Sequence, residues 1–361
     1  MFEELGLEGW TPQQASVVIA LMLGAAFGIL AQRSRFCLRR GLIGTTAERR
    51  AAAGIWSIAL SAAIAGTGIA SAIGLIDFAE HRFHADELPV LAILAGGLMF
   101  GAGATLSRGC ASRLTVLAGS GNLRAWTVLL VFAVFAQSTM KGLLAPIRQS
   151  MTSMRVELGE VGSLAGFPGG EIVWGGLLVV GLTVVALRSG AGMTGLAMGA
   201  GIGLLVPLAW LSTGFLLADE FDPIALDGLA FTAPAADTLS WILLSSAIAP
   251  GFGVGLFVGV LAGALLAALS SSEFQWQGFT AETPNWRYLF GGALMGSGGI
   301  LAGGCTVGSG LSGVSTLSIA GILALLSIAA GIWLTDALLA RSRQDRVASD
   351  LNRIIAPSAA E

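Results

Sequence analysis

The sequence predicts an all-α integral membrane protein with about nine transmembrane helices, and three observations lead there. Apolar residues make up 55% of the 361 and charged residues only 11%, which leaves too little polar surface to solvate a globule of this size. The mean hydropathy is +0.81. The stretches Ala51 to Ile76 and Ala125 to Met140 carry no charge at all, and about twenty such residues span a bilayer as a helix. These runs are continuous rather than alternating and far exceed the roughly ten residues of a membrane strand, so a barrel is excluded.

Each element follows in order from hydropathy and arginine placement. Met1 to Trp10 is acidic, with Glu3, Glu4 and Glu8, and lacks the basic start and small-residue cleavage site of a signal peptide. Residues 15–31 are the first span. The next loop, Gln32 to Arg50, holds Arg33, Arg35, Arg39, Arg40, Arg49 and Arg50; short basic loops stay in the cytoplasm. After the span through Ile76, the loop with Asp77, Glu80, Asp86 and Glu87 is acidic and is expected outside. Residues 89–119 return inward to Arg108, Arg113 and Arg124, 125–147 go out, 172–188 come in to Arg188, and 193–217 go out to Asp219, Glu220, Asp222, Asp227 and Asp237. Pro250-Gly251 splits Leu239 to Ser271 into a half-inserted piece and the span 251–271. Residues 288–313 and 315–340 complete the set, leaving Arg341, Arg343, Arg346 and Arg353 in the cytoplasm. The N-terminus is then outside and the C-terminus inside.

One element is written twice. Gly96 to Cys110 and Gly291 to Cys305 match at Gly96, Gly97, Gly101, Gly103, Leu106, Gly109 and Cys110 without a gap, and both end in a Gly-Cys pair. The first copy descends inward and the second ascends outward, so the two halves have inverted topology. A single polytopic domain follows, with a first repeat at 15–147, a linking helix at 172–188, a second repeat at 193–340 and a cytoplasmic tail at 341–361. A weaker echo aligns Gly24 and Gly28 before Cys37 with Gly199 and Gly203 before Ser212. Inverted repeats place a substrate site at their shared midplane.

Glycine and cysteine at that depth suit a path for an anion. Broken helices are tolerated in a membrane only where the freed backbone is buried in protein or lines a polar route, and helix N-termini aimed at the gap favour negative charge. A thiol is small, polarizable and a weak donor, suited to holding a soft sulfur atom loosely. Helix packing is an equally good reading of Gly97 and Gly101. Arg33 and Arg35 before Cys37, and Arg108 and Arg113 around Cys110, either draw an anion to the inner mouth or only signal topology. Gln137, Ser138 and Thr139 line the path or bond a neighbouring helix.

Other chemistry is poorly supported by the sequence. The three cysteines are odd in number and far apart in sequence, which argues against disulfides. No Cys-x-x-Cys occurs, and the two histidines, His81 and His84, lie in the acidic outer loop, so no metal site or cofactor is expected. Gly308 to Gly313 fits the dinucleotide fingerprint only by letter and is expected to be the flexible far side of the Cys305 break. No Walker A sequence is present, and no Asp, Glu or His lies between the span ends to relay protons, Asp336 falling near the end of the last span. A facilitator is expected rather than a pump.

The segments Arg33-Ser34-Arg35-Phe36-Cys37, Gly109-Cys110-Ala111-Ser112-Arg113 with Gly121-Asn122-Leu123-Arg124, and Gly304-Cys305-Thr306-Val307-Gly308 with Leu311-Ser312-Gly313 resemble the YeeE/YedE family across both halves of the chain. The resemblance implies an hourglass-shaped helical protein of the bacterial inner membrane that imports thiosulfate, not an enzyme, with Cys37, Cys110 and Cys305 passing the ion along by S–H hydrogen bonds. Gly109, Gly304, Thr306, Arg113 and Arg35 complete the expected site. The second motif has Ala111-Ser112-Arg113 where the best characterised thiosulfate carriers have Thr, another residue and Gly. Family members act with, or fused to, small cytoplasmic sulfur-carrier (TusA-like) proteins, a partner for which the short tail after Ala340 offers no fused copy. Alternatives are transport of another sulfur or selenium species, a membrane thiol enzyme exchanging sulfur through a persulfide on Cys110 or Cys305, and a structural membrane partner.

Overall fold

The computed structural model describes residues 9–157, 162–219, 222–278 and 285–355; Met1 to Glu8 and Glu220 lie outside them, as do the side chains of Arg343, Arg346 and Arg353. Helices carry nearly all the regular structure. The one sheet among the described residues is an antiparallel ladder pairing Glu87 with Glu157 and Leu88 with Val156. Among the described residues, eight helical stretches are long and apolar enough to cross a bilayer, so the chain is a multi-pass membrane protein.

α1 (Pro12–Ser34) opens with a full capping box, in which the Thr11 hydroxyl accepts from Gln14 N and the Gln14 side chain accepts from Thr11 N, with Pro12 in the first turn. It ends at Arg35, and the five-residue α2 (Leu38–Leu42) follows. α3 (Thr46–Ala72) takes Arg49 and Arg50 into its first turns, where they were expected in the loop. α4 (Val90–Leu106) and α5 (Ala111–Gly119) divide the expected span 89–119 in two. α6 (Leu123–Lys141) starts where Asn122 caps Ala125 N and stops at Gly142, so the chain turns into α7 (Ala145–Thr152) instead of extending the span to 147. α8 (Gly170–Leu187) is the linking helix. α9 (Met193–Leu211) runs into a π-helical turn, Ser212–Leu216.

α10 (Thr232–Leu243) has 12 residues and is too short to cross. α11 (Phe252–Ser270) crosses fully. The expected eighth span, 288–313, is instead in two pieces: α12 (Asn285–Leu301) stops at 17 residues, and a π-helical turn, Gly308–Gly313, follows the break. That turn is buried at every position, not flexible as expected from its glycines. α13 (Ile319–Ile355) continues well past Ala340, so the expected tail begins as helix. Between Ile332 and Ile355 the sequence has neither glycine nor proline to stop it.

Glycine sets how closely the helices approach. α1 packs against α11, α4 against α12 and α13, α3 against α8 and α9, and α6 against α12. On α11, a side chain at Gly255, Gly259 or Gly263 would strike the carbonyls of Val17, Leu21 or Ala25 on α1. Gly101 faces the backbone of Ile328 and Ile332 on α13, and Gly97 faces Ser327. The repeat glycines therefore serve helix packing, as in small-residue contacts generally. α8 is held mainly through α3, where Ser61 and Thr183 share a hydrogen bond of 2.8 Å, and its outer face, including Ile172, Leu177 and Val180, is bare.

Loop contacts sort the molecule into two ends. At the arginine-rich end, Arg33 Nη2 donates to Ser270 Oγ (3.4 Å) and Asn122 Nδ2 to Gln277 Oε1 (2.9 Å). At the acidic end, Gln13 Nε2 donates to Pro250 O (3.3 Å) and Ser318 Oγ to Phe83 O (2.6 Å).

Replacing Gly263 by Leu wedges α1 from α11 along their whole contact. The expected outcome is a destabilisation of about 1–3 kcal/mol or more, read as a lower melting temperature and reduced monodisperse yield in detergent. Gly181, which faces open space, should accept the same change with little effect.

Candidate functional site

All three cysteines occupy the same local structure. A helix ends, a residue two before the cysteine adopts a left-handed backbone (Arg35 at φ 52°, Arg108 at 59°, Gly303 at 76°), and the cysteine follows after one further residue. The carbonyls freed at the helix ends are recaptured by Phe36 N to Ala31 O (3.2 Å) and Gly109 N to Ala104 O (3.0 Å), a Schellman-type closure. Cys37 and Cys110 are then the N-cap residues of α2 and α5. Each sulfur is faced by the amide three residues on. Gly308 N donates to Cys305 Sγ at 3.3 Å; the N–H groups of Arg40 and Arg113 face Cys37 and Cys110 without closing a full capping bond.

Cys37 and Cys110 meet directly. Their sulfurs are 3.9 Å apart, and Cys110 Sγ is 3.4 Å from Ser112 Oγ. All three cysteines are free and buried, at 4%, 1% and 0% exposure. Arg113 Nη1 reaches Ala31 O on α1 (3.5 Å), holding α5 against the end of α1. Arg35 does not join them: its side chain is exposed, and its carbonyl accepts from Arg40 Nη1 at 3.3 Å.

Cys305 stands apart among hydroxyls. Thr306, Ser309 and Ser312 are buried around it, and Ser312 Oγ donates to Leu229 O at 2.7 Å. Gly304 is required there, since a Cβ would lie 2.8 Å from Ser309 N, whereas at Gly109 it would meet side-chain atoms alone, Leu114 at 3.3 Å and Arg113 at 3.9 Å. A chain of rings runs from Phe36, next to Cys37, to Phe231. Phe27 is 6.3 Å from Phe36 and 5.2 Å from Phe231 between centroids, and all three are at most 3% exposed.

Aromatic and titratable groups cover the acidic end. Trp210 sits edge-on to Phe78 and His81, both at 5.2 Å. His81 Nδ1 accepts from Phe83 N (3.3 Å), and His84 Nε2 lies 3.0 Å from Thr316 O. Burial, with Arg82 and His84 nearby, pushes His81 down to about 4, so it is neutral near pH 7. Beside this cover a cavity of about 450 Å³ is lined by Gln137, Lys141, Asp227, Asp237 and Ser240. Loss of hydration pushes the Asp227 carboxyl up to about 6, against the pull of Arg82. Gln137 Oε1 is buried there without a hydrogen-bond partner, while Thr139 bonds within its own helix.

Of the residues expected from sequence, the structure joins Cys37, Cys110 and Arg113 in one cluster and Gly304, Cys305 and Thr306 in another. Ser112 was within reach of sequence reasoning, being two residues from Cys110. Phe27 and Phe231 carried no signal, because nothing in the sequence distinguishes core rings that meet each other from other buried aromatics.

A family model described as sulphur transport matches residues 33–334. Two relatives named thiosulfate transporter TsuA are each 26% identical: that of Escherichia coli (strain K12) over 345 residues, covering 88% of this chain and 93% of its own, and that of Spirochaeta thermophila over 339 residues, covering 87% and 96%.

Mild oxidation with iodine in detergent should link Cys37 to Cys110 and leave Cys305 free, as read by mass spectrometry of peptides. A link from Cys305 to either partner would contradict the arrangement.

Proposed function

The chain belongs to the sulphur transport family, and we propose that it imports thiosulfate across the bacterial inner membrane along a route marked by Cys305 and the Cys37–Cys110 pair. It is a transporter and not an enzyme, which sets aside sulfur exchange through a persulfide. The observation that carries the reading is the shared turn: three thiols, each faced by the amide three residues on, two of them in contact. A weak S–H donor together with an N–H supports a soft anion without holding it fast.

In this reading the repeats ending at Cys110 and Cys305 run in opposite directions, so the turns approach the midplane from opposite faces and give an hourglass form. The N-terminus is outside. The arginine-rich end, which gathers the loops at 32–45, 120–122 and 270–277, is cytoplasmic. Both relatives' names speak of thiosulfate, which favours that ion over other sulfur or selenium species. Gly109, Gly304 and Thr306 shape the two turns, Arg113 and Arg35 add positive charge at the inner mouth, and a TusA-like sulfur carrier is the partner suited to take the sulfur there.

Thiosulfate uptake into proteoliposomes tests the proposal. Cys110→Ala and Cys305→Ala should each reduce uptake to the level of empty liposomes; undiminished uptake by both variants would sink the thiol route, and competition by sulfite, sulfate and selenium oxyanions ranks the substrates.

A second expectation concerns pH at the acidic end. Above about 6 Asp227 is ionised and opposes an entering dianion, and below it the carboxyl is neutral. At low ionic strength, where such repulsion is least screened, uptake at pH 5.5 should exceed that at pH 7.5 several-fold, and Asp227→Asn should flatten the profile by raising the pH 7.5 rate. A profile unchanged by the substitution would remove Asp227 from the entrance.

A further inference from the structure

The arginines beside the thiol pair are arranged differently from a topology signal. Arg39, on α2 two residues after Cys37, is half-buried, and its Nε is fully buried without a hydrogen-bond partner among the described residues. Such a donor is costly to leave unmade, and guanidinium groups in proteins ordinarily face carboxylates or other oxygens that match their fork. The one salt bridge among the described residues is Arg155 to Glu87, at the other end of the molecule. The guanidinium groups of Arg39 and Arg113 each act electrostatically on both Cys37 and Cys110. Arg108 acts on Arg39, Arg40 and Arg35 act on Arg113, and the carboxylate of Asp336 on α13 acts on Arg39. Positive charge is therefore concentrated against two thiols with an orphaned donor inside it.

We propose that Arg39, with Arg113, forms an oxyanion site next to the Cys37–Cys110 pair, and that this site takes the oxygen-bearing end of a tetrahedral dianion while the thiols face its sulfur end. The proposal rests on the thiosulfate reading for the second half of that statement only. Thiosulfate has one soft terminal sulfur and three oxygens, and the two kinds of group here match the two ends. Sulfate carries the oxygens without the soft sulfur. It should occupy the arginines with no need of the thiols, which makes it a probe of this site alone. Arg39 would then be a specificity-determining residue that nothing in the cysteine motifs reveals.

Sulfate binding to the purified full-length protein, in nanodiscs of neutral lipid and measured by calorimetry, tests this. The wild type should bind inorganic sulfate with an affinity that falls as chloride is raised. Arg39→Gln should weaken it at least about tenfold, Arg39→Lys less, and Cys37→Ser by no more than about twofold. Arg39→Gln also removes an unsatisfied buried donor, so its melting temperature should not fall; a marked fall, with sulfate affinity unchanged, would make Arg39 structural and overturn the proposal. The same holds if wild-type protein binds no sulfate. Adding phosphatidylglycerol to the discs distinguishes a lipid headgroup: displacement of sulfate by that lipid and not by free thiosulfate would assign the arginines to the bilayer and overturn the site. If sulfate binding behaves as expected while wild-type liposomes take up no thiosulfate, the oxyanion site stands and the transport reading falls.

Discussion

A backbone amide inside a membrane must find a partner, because hydrocarbon offers none. The cysteine turns obey this by closing the ended helix on itself and setting the next amides against sulfur. Phe36 N and Gly109 N return to carbonyls of the helix they leave, and Gly308 N uses the Cys305 thiol. The left-handed residues that allow the turn are arginine twice and glycine once. A non-glycine residue there costs roughly 1–2 kcal/mol, so Arg35 and Arg108 hold that shape against an intrinsic preference. The glycine contacts between α1 and α11, and between α4 and α13, supply the rigid walls that keep it.

The three turns are alike locally and unlike in company. Cys37 and Cys110 come from different turns, 73 residues apart, yet touch; Cys305 has buried serines and a threonine instead. The pair thus has arginines beside it, and Cys305 has hydroxyls. In the proposed route an ion moving between them would exchange a mainly neutral polar setting for a strongly positive one.

Much of this was legible in the sequence because hydropathy and glycine punctuation are local signals. α1, α8 and α11 fall close to the expected spans. Val90–Gly119 remains one stretch long and apolar enough to cross, as expected of 89–119, with a non-helical turn at 107–110, whereas α12 ends at Leu301 within the expected span 288–313. The uniform apolar character of α4 left Gly97 and Gly101 undecided until their neighbours, Ser327 and Ile328, were known. The equivalence of Cys110 and Cys305 was legible in their repeat, whereas the contact of Cys110 with Cys37 was not, because the place of Cys37 depends on how α1 ends at Arg35. The orphaned Nε of Arg39 had no sequence signal, since five arginines share its loop and only packing singles one out.

The buried packing of Phe27 against Phe36 and Phe231 has an electrical consequence. Such packing is a region of low dielectric, and a charge crossing it takes up part of the transmembrane voltage. Each elementary charge crossing 100 mV exchanges about 2.3 kcal/mol, so a dianion moving toward a negative interior works against about 4.6 kcal/mol, equivalent to a concentration ratio of roughly three orders of magnitude. Under the proposed import of thiosulfate, net uptake would therefore be governed less by affinity at either thiol cluster than by how fast the arriving ion is chemically consumed.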